Sequence, residues 1–217
     1  MSLTSLPRKI LVAAAIAAVL AACSSSKKGK FTTKGLRPPE ASCRVKPSRI
    51  GLAEKIRNIN EHNGCMVPNA WKVEALGSVS FSQPAILNCG MAEPVYSWLE
   101  DVVQPSAQRT FGESVVSIDI AASYACRPRN NQSGAKMSEH GFGNALDISA
   151  FTLESGRKIT VEQGWWGSYE ERRFLHTVHD RACGEFRTVL GPGSGRDHKD
   201  HLHLDLQNRE SQPAYCR

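Results

Sequence analysis

Ser138-Glu139-His140-Gly141-Phe142-Gly143-Asn144-Ala145-Leu146-Asp147-Ile148-Ser149 and, farther on, Asp197-His198-Lys199-Asp200-His201-Leu202-His203-Leu204-Asp205 decide how this chain is read. Four of its seven histidines fall in these two segments. Together they offer imidazole nitrogens and carboxylate oxygens, a donor set suited to Zn²⁺. His140 and Asp147 would stand more than about 20 Å apart in a straight strand. Gly141 and Gly143 let the chain fold back and bring both side chains to one ion. His201 and His203 alternate by two on an expected strand, so both point to one face. One of them can bind a metal while the other stands over its open position. Three protein ligands with room for water make a catalytic zinc site, and four make a closed structural one.

Outward from this pair of segments the pattern is that of strands and helices in one domain. Val115–Cys126 is rich in β-formers and reads as a central strand. Residues 144–153 and 158–161 read as strands joined by a hairpin at Ser155-Gly156, and residues 187–190 and 201–206 as two more. Before them, short strands are expected over residues 71–76 and 79–81. Gly191-Pro192-Gly193-Ser194-Gly195 lacks the Lys-Ser/Thr ending of a phosphate loop and reads as a turn. Pro94 opens a helix whose Val95, Trp98, Leu99, Val102 and Val103 mark one buried face. Pro105 is expected to end or kink it, and Gly112 to stop it. Ser168 with Glu171 forms a capping box ahead of Phe174, Leu175 and Val178. The expected fold is α+β, a small, largely antiparallel sheet flanked by helices.

The remaining chemistry is limited. Trp98 reads as core, and Trp165 and Trp166 as half core, half surface. His176 and His179, three apart on a helix, read as a surface pair, since no carboxylate at metalloprotease spacing accompanies them. His62 is isolated. No Gly-x-Ser-x-Gly elbow is present, so a serine nucleophile is disfavoured. The 27 basic residues exceed the 21 acidic ones only modestly, and no basic stripe with interleaved aromatics suggests nucleic acid. An acidic polymer such as peptidoglycan fits the charge as well.

The N-terminus reads as an export signal. Arg8 and Lys9 precede an uncharged apolar run from Ile10 to Leu20, too short for a membrane span. Leu20-Ala21-Ala22-Cys23 resembles the bacterial lipoprotein box, which implies cleavage after residue 22 and lipidation of Cys23. Ser24 after it is the residue that goes with outer-membrane sorting in Gram-negative lipoproteins. Residues 23–42 are Ser-, Lys-, Gly- and Pro-rich and read as a tether, with a root-mean-square reach of roughly 23 Å. Residues 43–217 then form one domain. Cys43, Cys65, Cys89, Cys126, Cys183 and Cys216 read as three disulfides of undetermined pairing in an exported protein.

Ser138-x-His140-x-x-Gly143-x-Ala145-x-Asp147 followed by His201-x-His203 resembles the zinc peptidases of the lysostaphin, D-Ala-D-Ala metallopeptidase and Hedgehog types. Ser123-Tyr124-Ala125-Cys126-Arg127, the two segments quoted first, and Tyr215-Cys216 are closer to the bacterial extensin-like C-terminal family over most of residues 43–217. The resemblance implies a Hedgehog/DD-peptidase-like fold, zinc held by His140, Asp147 and His203, and hydrolysis of peptide cross-links in peptidoglycan. His201 is then the catalytic or second-shell histidine. Asp200 replaces the glutamate of many relatives and is a candidate to share the base role. Arg127 stands where the wider group uses an arginine to grip a substrate carboxylate, a task its planar fork suits, with Arg129 as the competing candidate. Ser138 either hydrogen-bonds substrate or shapes the turn, Asp205 is a candidate to orient an imidazole, and His198 is a further candidate near the metal. The expected activity is that of a murein endopeptidase. A D,D-carboxypeptidase, or a non-hydrolytic binder of peptidoglycan or of a protein, is the alternative. Expected partners are stem peptides, the membrane through Cys23, and a protein regulator to restrain the enzyme.

Overall fold

The computed structural model describes residues 43–209 and 212–217. The expected signal peptide, Cys23 and the whole tether lie outside the described residues. Eleven strands, β1 Gly51–Lys55, β2 Ile59–Asn60, β3 Met66–Val67, β4 Ala70–Leu76, β5 Val79–Asn88, β6 Val115–Ala122, β7 Ala145–Leu153, β8 Lys158–Thr160, β9 Thr188–Leu190, β10 Leu202–Asp205 and β11 Tyr215–Cys216, alternate with helices α1 Pro47–Ile50, α2 Cys89–Trp98, α3 Gln104–Phe111, α4 Val161–Gly164 and α5 Tyr169–Ala182. Nine strands form one sheet in the order β1-β4-β5-β6-β7-β10-β9-β11, with β8 paired to β7; β2 and β3 pair separately. The sheet is larger than expected. It is antiparallel except at β5–β6 and β9–β11, so the α+β class and its largely antiparallel character hold. No helix among the described residues is long and apolar enough to cross a membrane.

Helix α2 begins five residues before Pro94. Asn88 caps it, its side-chain oxygen accepting from Met91 N at 3.0 Å, and an asparagine in this role satisfies one orphan N–H of the first turn. Pro105 does not end the helical run. A π turn over Leu99–Val103 carries α2 into α3, with Gln104 N donating to Leu99 O. The widened i→i+5 pattern leaves Pro105 in the first turn of α3, where its missing N–H has no intrahelical partner to lose. Gly112, left-handed at φ 71°, closes α3 as expected. The Ser168–Glu171 capping box opens α5, and Phe174, Leu175 and Val178 are buried.

Helices α2, α3 and α5 cover one face of the sheet. Phe151 of β7 contacts Trp98 and Phe174 at ring-centroid distances of 6.2 and 5.2 Å. Trp98 donates from Nε1 to Val178 O at 2.9 Å. Leu146 and Ile148 of β7 and Leu202 and Leu204 of β10 join this core. Strict alternation along β7 would turn Phe151 to the same side as Asp147. The β6 register, pairing Ile120 with Ile148 but Asp119 with Ala150, passes over Ser149. This bulge re-phases the strand, and such irregularities re-aim side chains. Asp147 faces away from the helices while Phe151 faces them.

The six cysteines pair as Cys43–Cys89, Cys65–Cys126 and Cys183–Cys216. Three further departures bear on local structure. Strand β6 stops at Ala122, Val161 starts a helix rather than ending a strand, and His201 precedes β10 instead of belonging to it. Trp165 is buried and Trp166 exposed, as expected. His179 corrects the surface-pair reading: it is buried and bonds Asp180 Oδ1 and Arg217 O, and His176 stacks on Trp165 at 4.2 Å.

Candidate metal centre

His203 of β10 lies directly across from Asp147 of β7. Their side chains leave the sheet on the face away from the helices, where alternation along β10 sends His203 and Asp205 together. His140 reaches the same point from a 3₁₀ turn over Glu139–Phe142. Gly143 ends that turn at φ 59°, and a Cβ there would come within 2.8 Å of Val67 Cγ1 and 2.9 Å of Asn88 N. Gly141 is set by packing: a Cβ would meet Cys65 Sγ at 2.8 Å. Asn88 ties the turn to β5, its N donating to Gly143 O and its Nδ2 to Phe142 O. The fold-back expected from the glycines is present, fixed by the Cys65–Cys126 bond and Asn88.

The protons of this site have settled positions. Ser123 O can only accept, so His140 carries its hydrogen on Nδ1, 2.5 Å away. The Asp205 carboxylate fixes a hydrogen on His203 Nε2 at 3.0 Å; its other oxygen accepts from Gln207 N. In the neutral imidazoles, His140 Nε2 and His203 Nδ1 are then bare lone pairs. They face each other at 3.3 Å, and face Asp147 Oδ2 and Oδ1 at 3.1 and 2.7 Å. Three buried acceptors turned inward call for positive charge among them, a metal ion or, without one, a proton on His203 Nδ1 bonded to Asp147. The donor atoms lie within 4.8 Å of one another, and a tetrahedral ion with Zn–N bonds near 2.0–2.1 Å sets its ligands about 3.3 Å apart. The residues fit a metal.

The electrostatics agree. Burial works against charge on His203, yet the hydrogen bonds with Asp147 and Asp205 prevail and lift its pKa to about 10. Burial likewise opposes ionisation of Asp147, and the bonds with His140 and His203 overcome it, holding the carboxyl well below its usual range.

A cleft of about 460 Å³ opens over these three residues. His201 stands at its edge, Nε2 3.7 Å from Asp147 Oδ2, with Nδ1 donating to Asp200 Oδ1 at 2.9 Å. Asp200 does not line the cleft and touches it only through His201. That bond holds the Asp200 carboxyl below its ordinary value. His198 lines the cleft with its ring 5.4 Å from that of His201 and 5.8 Å from that of His203. Burial, and then the two neighbouring imidazoles, lower its pKa to about 4, so it stays neutral.

Arg127 also lines the cleft, and its guanidinium makes no hydrogen bond or ion pair with the described residues. Ser138 is buried at the wall. Its backbone shapes the turn, donating to Arg127 O and accepting from Gly141 N, while its hydroxyl has no partner among the described residues. The sequence reading missed several lining groups. Glu139 is buried, bonded by Asn144 Nδ2 at 2.7 Å and raised in pKa by that burial. Asn130 and Asn131 hold consecutive left-handed conformations at the rim; the pair Asn130-Asn131 is the one local signal of this. Arg209 and Tyr215 join from the C-terminal segment; Tyr215-Cys216 belongs to the family pattern without pointing to the cleft, and nothing in the local sequence marks Arg209.

Comparison with curated proteins and with solved structures finds no match. The model of one family, the extensin-like protein C-terminus, matches residues 41–217. That span contains every site residue described above, and on this match the chain belongs to the extensin-like protein C-terminus family.

Proposed function

We propose that this protein is a zinc-dependent hydrolase of peptide bonds in peptidoglycan, an endopeptidase that cuts stem-peptide cross-links. The observation that carries the proposal is the inward convergence of three lone-pair donors, their protons committed outward to Ser123 O and Asp205. The spacing of Ser138, His140, Gly143, Ala145 and Asp147 resembles that of the lysostaphin, D-Ala-D-Ala metallopeptidase and Hedgehog types, and on this reading the site shares their chemistry. His140, Asp147 and His203 would hold zinc, which when bound polarises a carbonyl and lowers the pKa of water towards about 7.

The chain's own groups supply the rest. His201 is oriented by Asp200, and with its proton on Nδ1 its Nε2 is free to act as base. In this role Nε2 takes the proton released as water adds to the scissile carbonyl and returns it to the leaving amine. Asp200 positions that ring and does not itself reach the substrate. Arg127, unpaired at the cleft wall, binds a stem-peptide carboxylate through paired N–H groups. The Ser138 hydroxyl offers one more hydrogen bond to the peptide. On this reading Cys23 carries the lipid anchor, the enzyme works in the periplasm from the outer membrane, and the tether lets it reach the wall.

Purified sacculi incubated with the protein, with and without a chelator, test the proposal. Monomers released from cross-linked dimers only without chelator are expected. Loss of a single terminal residue instead would make it a carboxypeptidase. Unchanged muropeptides with retained sacculus binding would favour a non-hydrolytic binder, with His198, whose ring lies 5.8 Å from that of His203, the candidate for a fourth ligand.

A further inference from the structure

On the helical side of the sheet, away from the cleft, α3 and α5 pack together and leave a hollow of about 150 Å³ lined by Ser106, Arg109, Thr110, Arg173, Thr177 and Arg181. Three guanidinium groups and three hydroxyls meet there, and no carboxylate is among them. Successive turns of α5 set Arg173, Thr177 and Arg181 four residues apart on one face. Arg109 comes from α3 across the groove, its Nη2 donating to Ser106 Oγ at 3.2 Å. Thr177 donates its hydroxyl proton to Arg173 O at 2.6 Å, so its oxygen lone pairs face outward.

Three like charges on one small concavity repel one another, and a cluster of this kind is ordinarily relieved by acidic neighbours. Here the nearby acids of α5 are engaged elsewhere. Glu170 pairs with Arg157 at 3.8 Å, Glu171 bonds Arg157 at 3.1 Å, and Asp180 bonds His179 Nδ1 at 2.9 Å. Arg173 and Arg181 have no ion pair among the described residues. Unopposed arginine forks around a hollow of this size match the oxygens of a tetrahedral oxyanion.

We propose that the α3–α5 hollow is a binding site for a phosphate group, with Arg109, Arg173 and Arg181 as its cationic contacts. Because Asp147 and His203 leave the sheet on the opposite face, occupancy of the hollow leaves the cleft open. A phosphate carried on a membrane lipid would dock the helical layer against the bilayer and turn the cleft outward. Free phosphate would use the same contacts. The site stands whether or not the cleft is hydrolytic.

The test is calorimetric titration of the whole protein with inorganic phosphate at physiological salt, where diffuse surface attraction is screened beyond about 8 Å. Arg173→Ala/Arg181→Ala is compared with Lys55→Ala/Arg57→Ala, which removes the same charge from an exposed region elsewhere. Saturable binding that weakens at least tenfold in the first variant and is unchanged in the second is expected, with matching melting temperatures. In a parallel arm the proteins are sedimented with phosphatidylcholine vesicles with or without one-fifth phosphatidic acid. Sedimentation that needs phosphatidic acid and is lost in the first variant assigns the site to lipid-borne phosphate. Phosphate binding without sedimentation assigns it to free phosphate or a soluble ester. No saturable phosphate binding, or equal weakening in both variants, overturns the proposal.

Discussion

Asp205 touches no substrate on this account, yet replacing it should weaken the metal centre. Its Oδ2 holds the His203 Nε2 hydrogen at 3.0 Å while its Oδ1 accepts from Gln207 N at 2.9 Å. In Asp205→Asn the amide keeps one acceptor. If that oxygen stays with Gln207 N, the new NH₂ confronts Nε2 and drives the imidazole hydrogen to Nδ1, the atom facing Asp147. If the amide flips, Gln207 loses its partner. In either case the ring nitrogen aimed at the metal is a poorer donor. Loss of such an outer partner reduces affinity by about 10–100-fold, which is about 1.4–2.7 kcal/mol. Competition of wild type and variant against a fluorescent zinc chelator reads this directly. The fold should be little affected, because the two residues are isosteric, so melting in chelator serves as the control. Equal zinc affinities in the two proteins would refute the assigned protonation pattern, and with it the reason the three donors need a cation.

In chelator, the metal-free site should make stability depend on pH. His203 has its pKa raised from an ordinary 6.5 to about 10 in the folded state. Its contribution is therefore fully present below about 6.5 and lost as pH rises towards 10. Calorimetric melting should fall over that window, and His203→Gln should flatten the fall. Gly143→Ala should destabilise by roughly 2–5 kcal/mol, since the left-handed backbone disfavours a side chain and the added methyl meets Val67 and Asn88; a melting temperature within a degree of wild type would contradict this. His201→Ala should keep zinc affinity within about threefold while cleavage of cross-linked muropeptides falls by a factor of about 10²–10⁴. Loss of zinc in that variant would make His201 a ligand instead.

How much of this was legible in the sequence follows from how local each cause is. The α5 start could be read because Ser168 and Glu171 satisfy each other within one turn. His140, Asp147 and His203 could be picked out because glycines and a two-residue alternation are themselves short-range signals. The beginning of α2 could not, since Asn88 is both the end of β5 and the helix cap, and Pro94 offered a more familiar signal. The bulge at Ser149 is written in the pairing of β6 with β7, and only the pairing shows why Asp147 and Phe151 face opposite ways. Ser123 acts through a backbone carbonyl, which no side-chain pattern reports. Tyr215 enters the cleft because β11 pairs in parallel with β9, with Cys183–Cys216 fixing that end, and Arg209 because its guanidinium bonds Arg187 O and Thr188 Oγ1. The sheet was underestimated for a similar reason: strands of two to five residues at its edges carry too few positions to establish a period of two.

Zinc titration of the metal-free protein bears most directly on the central claim. Wild type should take up one ion per chain with saturable heat, and Asp147→Ala should take up none while remaining folded in chelator. Binding of zinc by Asp147→Ala as tightly as by wild type, or no uptake by wild type at all, would contradict the account.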